Sequence, residues 1–157
     1  MKRPWNLTNL PVYSILTNDG SDWNINICTY VMPVSRIPKM YIVALEKGSK
    51  SCLNMLSSDI AILQLLSVEH ANLVKVLGKK SGNQYDKIQY LTKRELITNW
   101  NDVQVLKNCT AYIELRKISV TDSGDHDLFL YQVNDWKSAK SEILTEDLLR
   151  VKKIIFT

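Results

Sequence analysis

The sequence predicts an all-β fold, an antiparallel β-barrel with a few short helices, and three observations point there. Strand-like runs are joined by the turn signals Asn18-Asp19-Gly20-Ser21 and Asp122-Ser123-Gly124-Asp125, so they come as hairpins. Strands and helices do not alternate regularly, as a parallel sheet would require. The inward set Ala111, Ile113 and Leu115 changes phase at Arg116-Lys117, after which Ile118 and Val120 carry on in the other register. One extra residue in a strand is a β-bulge, and bulges bend the long strands that close small barrels.

Each element follows in order. Pro4 and Pro11 bias their neighbours away from helix, so Trp5 to Pro11 reads as an extended arm. Val12 to Thr17 and Trp23 to Val31 form the first hairpin. Pro33 and Pro38 bracket a loop. Met40 to Leu45 is apolar without alternation, which fits a strand buried on both faces. A short helix over Ser51 to Leu56 and a strand over Ile60 to Leu66 come next. Ser67 can N-cap a helix that carries Leu73, Val74 and Leu77 on one face and stops at Gly78. Lys79 to Trp100 is polar and irregular, with a helical turn around Asp86 to Leu91. The β signal returns from Val105, Leu128 to Val133 is a strand, and Leu144 to Val151 is helical.

The 157 residues make one domain, 45% hydrophobic and 23% charged, in the range of ordinary globular chains. Cys28, Cys52 and Cys109 lie far apart and show no C-x-x-C spacing, which argues against zinc and disulfides and for a reducing, cytoplasmic setting. No signal-like N-terminus and no membrane-length apolar run is present. The net charge of +4 suits an anionic ligand. Its clusters, Lys75-Lys79-Lys80 and Arg150-Lys152-Lys153, read as solvated faces. His70 reads as a surface residue. Without H-E-x-x-H, a Cys/His cluster or G-x-S-x-G, the chain lacks the side chains of metal or serine hydrolysis, so an enzyme of this kind needs a cofactor.

Three segments carry chemistry. In Asn24-Ile25-Asn26-Ile27-Cys28-Thr29-Tyr30, small and polar residues interrupt a strand and would let a flat ring approach the backbone; an edge strand with outward Asn and Thr is the plain alternative. Lys47-Gly48-Ser49-Lys50-Ser51 precedes a helix, and its hydroxyls, lysines and free N–H groups form an anion site or simply a capped loop. Gly124-Asp125-His126 sets a histidine beside a carboxylate at a hairpin tip, a proton-handling pair or an ordinary turn.

Together and in this order, the segments resemble the flavin reductase-like family of FMN-binding split barrels. Pro11-Val12-Tyr13-Ser14-Ile15-Leu16-Thr17 resembles its first strand. Asn24 to Tyr30, leading into Val31-Met32-Pro33-Val34-Ser35, resembles its strand ending in P-V-S. Ser81-Gly82 with Asp86-Lys87 resembles a further segment, and Gly124-Asp125-His126-Asp127-Leu128-Phe129 its G-D-H-x-L-F signature. The resemblance implies a Greek-key split barrel, a homodimer and FMN near the subunit interface. It implies that Asn24, Asn26, Ile27, Cys28, Thr29 and Tyr30 face the ring and ribityl chain. Lys47, Ser49 and Ser51 would meet the phosphate, with Ser81 and Gly82 approaching from a loop and His126 lying near the ring and the nicotinamide. The sequence departs from the pattern at Arg36-Ile37-Pro38, where D-P-P is usual, and at Tyr131, where glycine is usual. Tyr131 is expected to narrow the site.

Three functions compete at this level. One is an FMN-dependent NADH or NADPH oxidoreductase of the flavin reductase type, serving a partner monooxygenase. Another is an FMN-binding electron carrier without reductase activity, separable by whether NADH bleaches the flavin. The third is an OB-like nucleic-acid binder, which would need an aromatic stripe that a chain 8% aromatic does not show.

Overall fold

The computed structural model describes residues 1–156. The first hairpin joins β1 (Tyr13–Asn18) to β2 (Trp23–Cys28), in register from Tyr13↔Cys28 to Asn18↔Trp23. Asp19 holds the turn, its carboxylate accepting from the N–H groups of Ser21 and Asp22. The single strand expected from Trp23 to Val31 is broken. β2 ends at Cys28, and β3 (Val31–Ser35), which contains Pro33, pairs instead with β4 (Met40–Glu46).

With β5 (Ile60–Leu65), β8 (Ala111–Ser123) and β9 (His126–Ser138), these strands make one antiparallel sheet in the order β2-β1-β5-β8-β9-β4-β3. β2 and β3 therefore lie on opposite edges, although Thr29 and Tyr30 are all that separates them. A link of two residues obliges the sheet to curl until its edges meet. Ala44 N–H donates to Tyr30 O at 3.0 Å, which carries the β3–β4 pairing into the link, and the barrel is split where β2 then runs beside the end of β4. The phase change read at Arg116-Lys117 is a register shift between Lys117 and Ser119, and a second lies at Glu114/Leu115.

The barrel interior packs Tyr13, Ile15, Val43, Leu63, Leu115 and Phe129. On the other face of β1 and β5, Leu16, Ile62 and Leu66 pack under the short helices α2 (Val74–Lys79), α3 (Lys87–Thr92) and α4 (Glu146–Val151). Burial on both faces, expected of Met40 to Leu45, thus belongs to β1 and β5. In β4, Val43 and Leu45 are buried, while Met40, Ile42 and Ala44 are half-covered.

Other expectations change as well. The N-terminal arm opens with a 3-10 turn, Pro4–Asn6. A 3-10 segment, Val68–Leu73, precedes α2, and α2 runs through Gly78 to Lys79. Gly78 lies within α2 beside Ile27 of β2 and does not terminate the helix. The region read as irregular ends in a strand, β6 (Ile97–Trp100), which forms a separate hairpin with β7 (Val103–Leu106). His70 is buried: Ser67 N–H donates to its Nδ1 at 3.1 Å, and its Nε2–H donates to Lys107 O at 2.8 Å. Burial lowers its pKa, as a ring held neutral requires.

Candidate functional site

The site begins with β2 as an edge strand. It pairs with β1 on one side, and its other side faces the split, where an edge leaves backbone N–H and C=O groups for a ligand. Between Asn26–Tyr30 and the end of β4, Ala44–Glu46, lies a narrow cleft of about 190 Å³ bounded by Gly78 and His126. Cys28, Thr29 and Tyr30 belong to its wall. The Cys28 thiol is buried, which pushes its pKa up to about 12 and keeps it protonated. Tyr30 is exposed, and its ring tilts against that of His126 at 5.4 Å between centroids. His126 Nδ1 donates to Asp125 Oδ1 at 2.6 Å, and that bond lowers the Asp125 pKa.

Past Asn26, Glu46 and Gly78 the narrow cleft continues into one of about 360 Å³. Its wall holds Lys47, Lys50, Lys79, Lys80 and Lys87 against one carboxylate, Glu46. Helix α1 (Lys50–Ser57) starts at this wall. The helix's first N–H groups have no intrahelical acceptor, and Ser49 caps it by accepting from one of them, Cys52 N–H, at 3.2 Å. Ser81 and Gly82 close the opposite side from the loop between α2 and α3 of the same chain. A Cβ on Gly82 would overlap Asn24 Oδ1, which is why this wall needs glycine. A larger cleft, about 730 Å³, lies beyond and shares Asn24, Lys50, Gly82 and Lys87.

The residues singled out in the sequence thus gather along one groove, with two exceptions. Ser51 is fully buried, its hydroxyl accepting from Asn24 Nδ2 at 3.0 Å, so it stands behind the groove and orients Asn24. Tyr131 does not narrow the groove. Alternation along β9 turns it inward with Phe129, stacked at 6.1 Å in the barrel core. Its hydroxyl has no hydrogen-bond partner among the described residues.

Lys47 reaches the groove, but its ammonium is engaged by Asp122 and by Gly124 O at 2.7 Å, which ties the β8–β9 hairpin to the start of α1. Lys50 pairs with Asp19 at 2.6 Å. Lys79 and Lys80, read as a solvated face, are exposed and also line the groove. Lys87 was quoted in the sequence without a role. Its signal was helical spacing, since it shares the buried face of α3 with Leu91, one turn on.

The family described as flavin reductase like domain matches residues 6–149. The fold is shared with an FMN-binding protein from Thermus thermophilus bound to 1-cyclohex-2-enone (19% identity, 88% of this chain and 75% of that one, TM-score 0.77). It is also shared with the NADH:FAD oxidoreductase SgcE6 of Streptomyces globisporus C-1027 (14%, 88% and 81%, TM-score 0.75) and with flavoredoxin from Methanosarcina acetivorans (17%, 89% and 75%, TM-score 0.76). No curated protein matches the sequence.

Proposed function

The chain belongs to the flavin reductase like domain family, and from that premise we propose that it is an FMN-dependent oxidoreductase passing hydride from NADH or NADPH to flavin. One observation carries the reading: a single edge strand, β2, lines both the split of the barrel and a cleft with five lysines and one carboxylate. That donor set fits a flat, hydrogen-bonding ring with an anionic tail. The lysine cleft, at about 360 Å³, falls in the range of small-molecule sites.

FMN, when bound, supplies the redox chemistry, accepting hydride at its ring N5. The chain's residues bind and orient. In this reading the edge of β2 from Asn26 and the link that follows it, to Tyr30, hydrogen-bond the ring, and Asn24, held by Ser51, meets the ribityl chain. Lys47, Ser49, Ser81 and the α1 N-terminus border the phosphate. His126, with Nδ1 committed to Asp125, has Nε2 left for the ring or the nicotinamide. The chain acts as a single domain.

We also propose a homodimer, formed through the outer face of the sheet. Met32, Ile42 and Leu130 are cross-strand partners there, and Met32 is 58% exposed. Among the described residues no helix is long and apolar enough to cross a membrane. We place the protein in the cytoplasm, reducing flavin for a partner monooxygenase.

Titration with FMN and riboflavin tests the site. FMN is expected to bind at least about tenfold more tightly, the value of one charge-assisted bond, and NADH or NADPH to bleach the bound flavin. Equal affinities would overturn the phosphate assignment. Bound flavin that neither nicotinamide bleaches would make the protein an electron carrier.

A further inference from the structure

At the end of the barrel away from His126, the core comes to the surface in a separate cleft of about 230 Å³. β4 runs between the two, from Tyr41 at the cleft to Glu46 opposite His126. The cleft shares no residue with the clefts of the groove. Ile113 belongs to the barrel core, and Tyr41 and Val133 pack against it. Trp136 adds a further wall. It stands opposite Ile113 across β8 and β9, yet it is 66% exposed where Ile113 is 8% exposed.

The lining is almost wholly apolar, and the exposed Lys39 and Lys137 complete it. Among the described residues neither ammonium has an acidic partner, and the Tyr41 hydroxyl makes no hydrogen bond. Asp135, the acid beside Trp136 in the chain, alternates to the other face of β9, where Asn101 donates to it at 2.8 Å.

Size, wall and charge together define an occupant. An apolar cavity of about 150 Å³ is enough to hold a benzene ring, so this cleft takes one substituted ring. Tyr41 and Trp136 favour an aromatic partner over an aliphatic one of the same size. Burial raises the Tyr41 pKa, so its phenol stays protonated. Two ammonium groups without a counter-charge call for an anion at the polar end of the occupant. A second copy of this chain fits less well, since it would bring lysines to lysines. The dimer face proposed above is also the opposite one: Ile42 and Leu130 alternate away from Tyr41 and Tyr131.

We propose that this cleft at the barrel mouth is a binding site for a small aromatic carboxylate, its ring against Tyr41 and Trp136 and its carboxylate on Lys39 and Lys137. Mouths of β-barrels commonly hold such sites. The site is independent of the flavin groove and does not rest on the flavin reading.

Calorimetric titration of the full chain with benzoate, with and without saturating FMN, tests it. Saturable binding with a Kd below about 1 mM is expected in both, the scale open to a ligand of this size. Benzamide, the neutral isostere, is expected to bind at least about tenfold more weakly, and cyclohexanecarboxylate about three- to tenfold more weakly. Replacing both lysines, Lys39→Met with Lys137→Met, removes the preference for benzoate over benzamide. Location is read from the indole N–H resonances of the four tryptophans, Trp5, Trp23, Trp100 and Trp136. The resonance missing from Trp136→Phe is expected to be the one that benzoate moves. All three replaced side chains are exposed, so these variants keep the core.

No saturable binding up to about 10 mM overturns the proposal, and so does equal affinity for benzoate and benzamide or for benzoate and cyclohexanecarboxylate. Binding that FMN abolishes, or that moves Trp23 in the groove instead of Trp136, puts benzoate in the flavin groove and also overturns it. A dimer that Trp136→Lys separates gives the cleft to a second copy, with the same consequence. If the chain binds no FMN, the titration without FMN still decides, because the two sites share no residue.

Discussion

His126 stands at the first position of β9, 23% exposed on its side chain, between the Asp125 carboxylate and the Tyr30 ring. It borders the split, not the lysine cleft. Replacing it should therefore leave FMN affinity nearly intact and act on the chemical step. For His126→Ala, the rate of flavin reduction by NADH in stopped flow is expected to fall about ten- to hundredfold, or roughly 1.4–2.7 kcal/mol in the barrier. An unchanged rate in folded, FMN-saturated mutant would leave the histidine as part of the turn. The sequence offered His126 because a Gly-Asp-His run sets a histidine beside a carboxylate at a hairpin tip, an arrangement that an ordinary turn also produces. It did not offer Lys87, because lysine normally reads as surface and its burial depends on how α3 docks on β2. Tyr131 misled for a related reason: alternation along β9 puts it on the face of Phe129, but that this face is the barrel core and not the site wall is set by how the sheet closes.

At the scale of elements, the loop from Lys80 to Asp86 forms one wall of the groove by pressing backbone against a buried side chain. Gly82→Ala would force Asn24 to turn and give up its bond to Ser51, or push the loop outward. Losing a buried hydrogen bond costs about 1–3 kcal/mol. A lower urea midpoint of the flavin-free protein and weaker FMN binding are expected together. An unchanged midpoint would mean that the loop yields freely and does not position the wall. Most elements were visible as hydrophobic runs between turn signals, and β1, β4 and β5 lie within a residue of where the pattern put them. Two were not. The strand-like run from Trp23 to Val31 holds no turn signal, and the break at Thr29-Tyr30 exists because the chain changes edges there, a tertiary requirement. The β6–β7 hairpin turns on Asn101 and Asp102, both left-handed with φ of 48° and 60°. That is Asn/Asp turn chemistry of a recognisable type, hidden in a segment whose polarity suggested a loop.

For the whole molecule, the sheet's outer face is the surface left to explain. Met32, Ile42 and Leu130 form an apolar row on β3, β4 and β9 that no helix covers among the described residues. Edge strands and apolar patches of this kind are commonly covered by a second subunit. Sedimentation at micromolar concentration is expected to show a dimer, and Met32→Lys should shift it towards monomer. A wild-type monomer that still holds FMN would overturn the shared interface. The barrel was legible from hairpins and the bulge, but its strand order was not, since hydrophobic patterns do not reveal which edge a strand joins. That order also fixes when the molecule can exist. The β8–β9 hairpin lies at the centre of the sheet, joining β2-β1-β5 to β4-β3. A ribosome makes both flanks first and the centre last. Until residue 138 has emerged, β5 and β4 each present an open edge, and the strand that lines the split has nothing to close against. The nascent chain thus passes through most of its synthesis as two unjoined half-sheets, the stage at which a chaperone, or a second nascent copy, would find it.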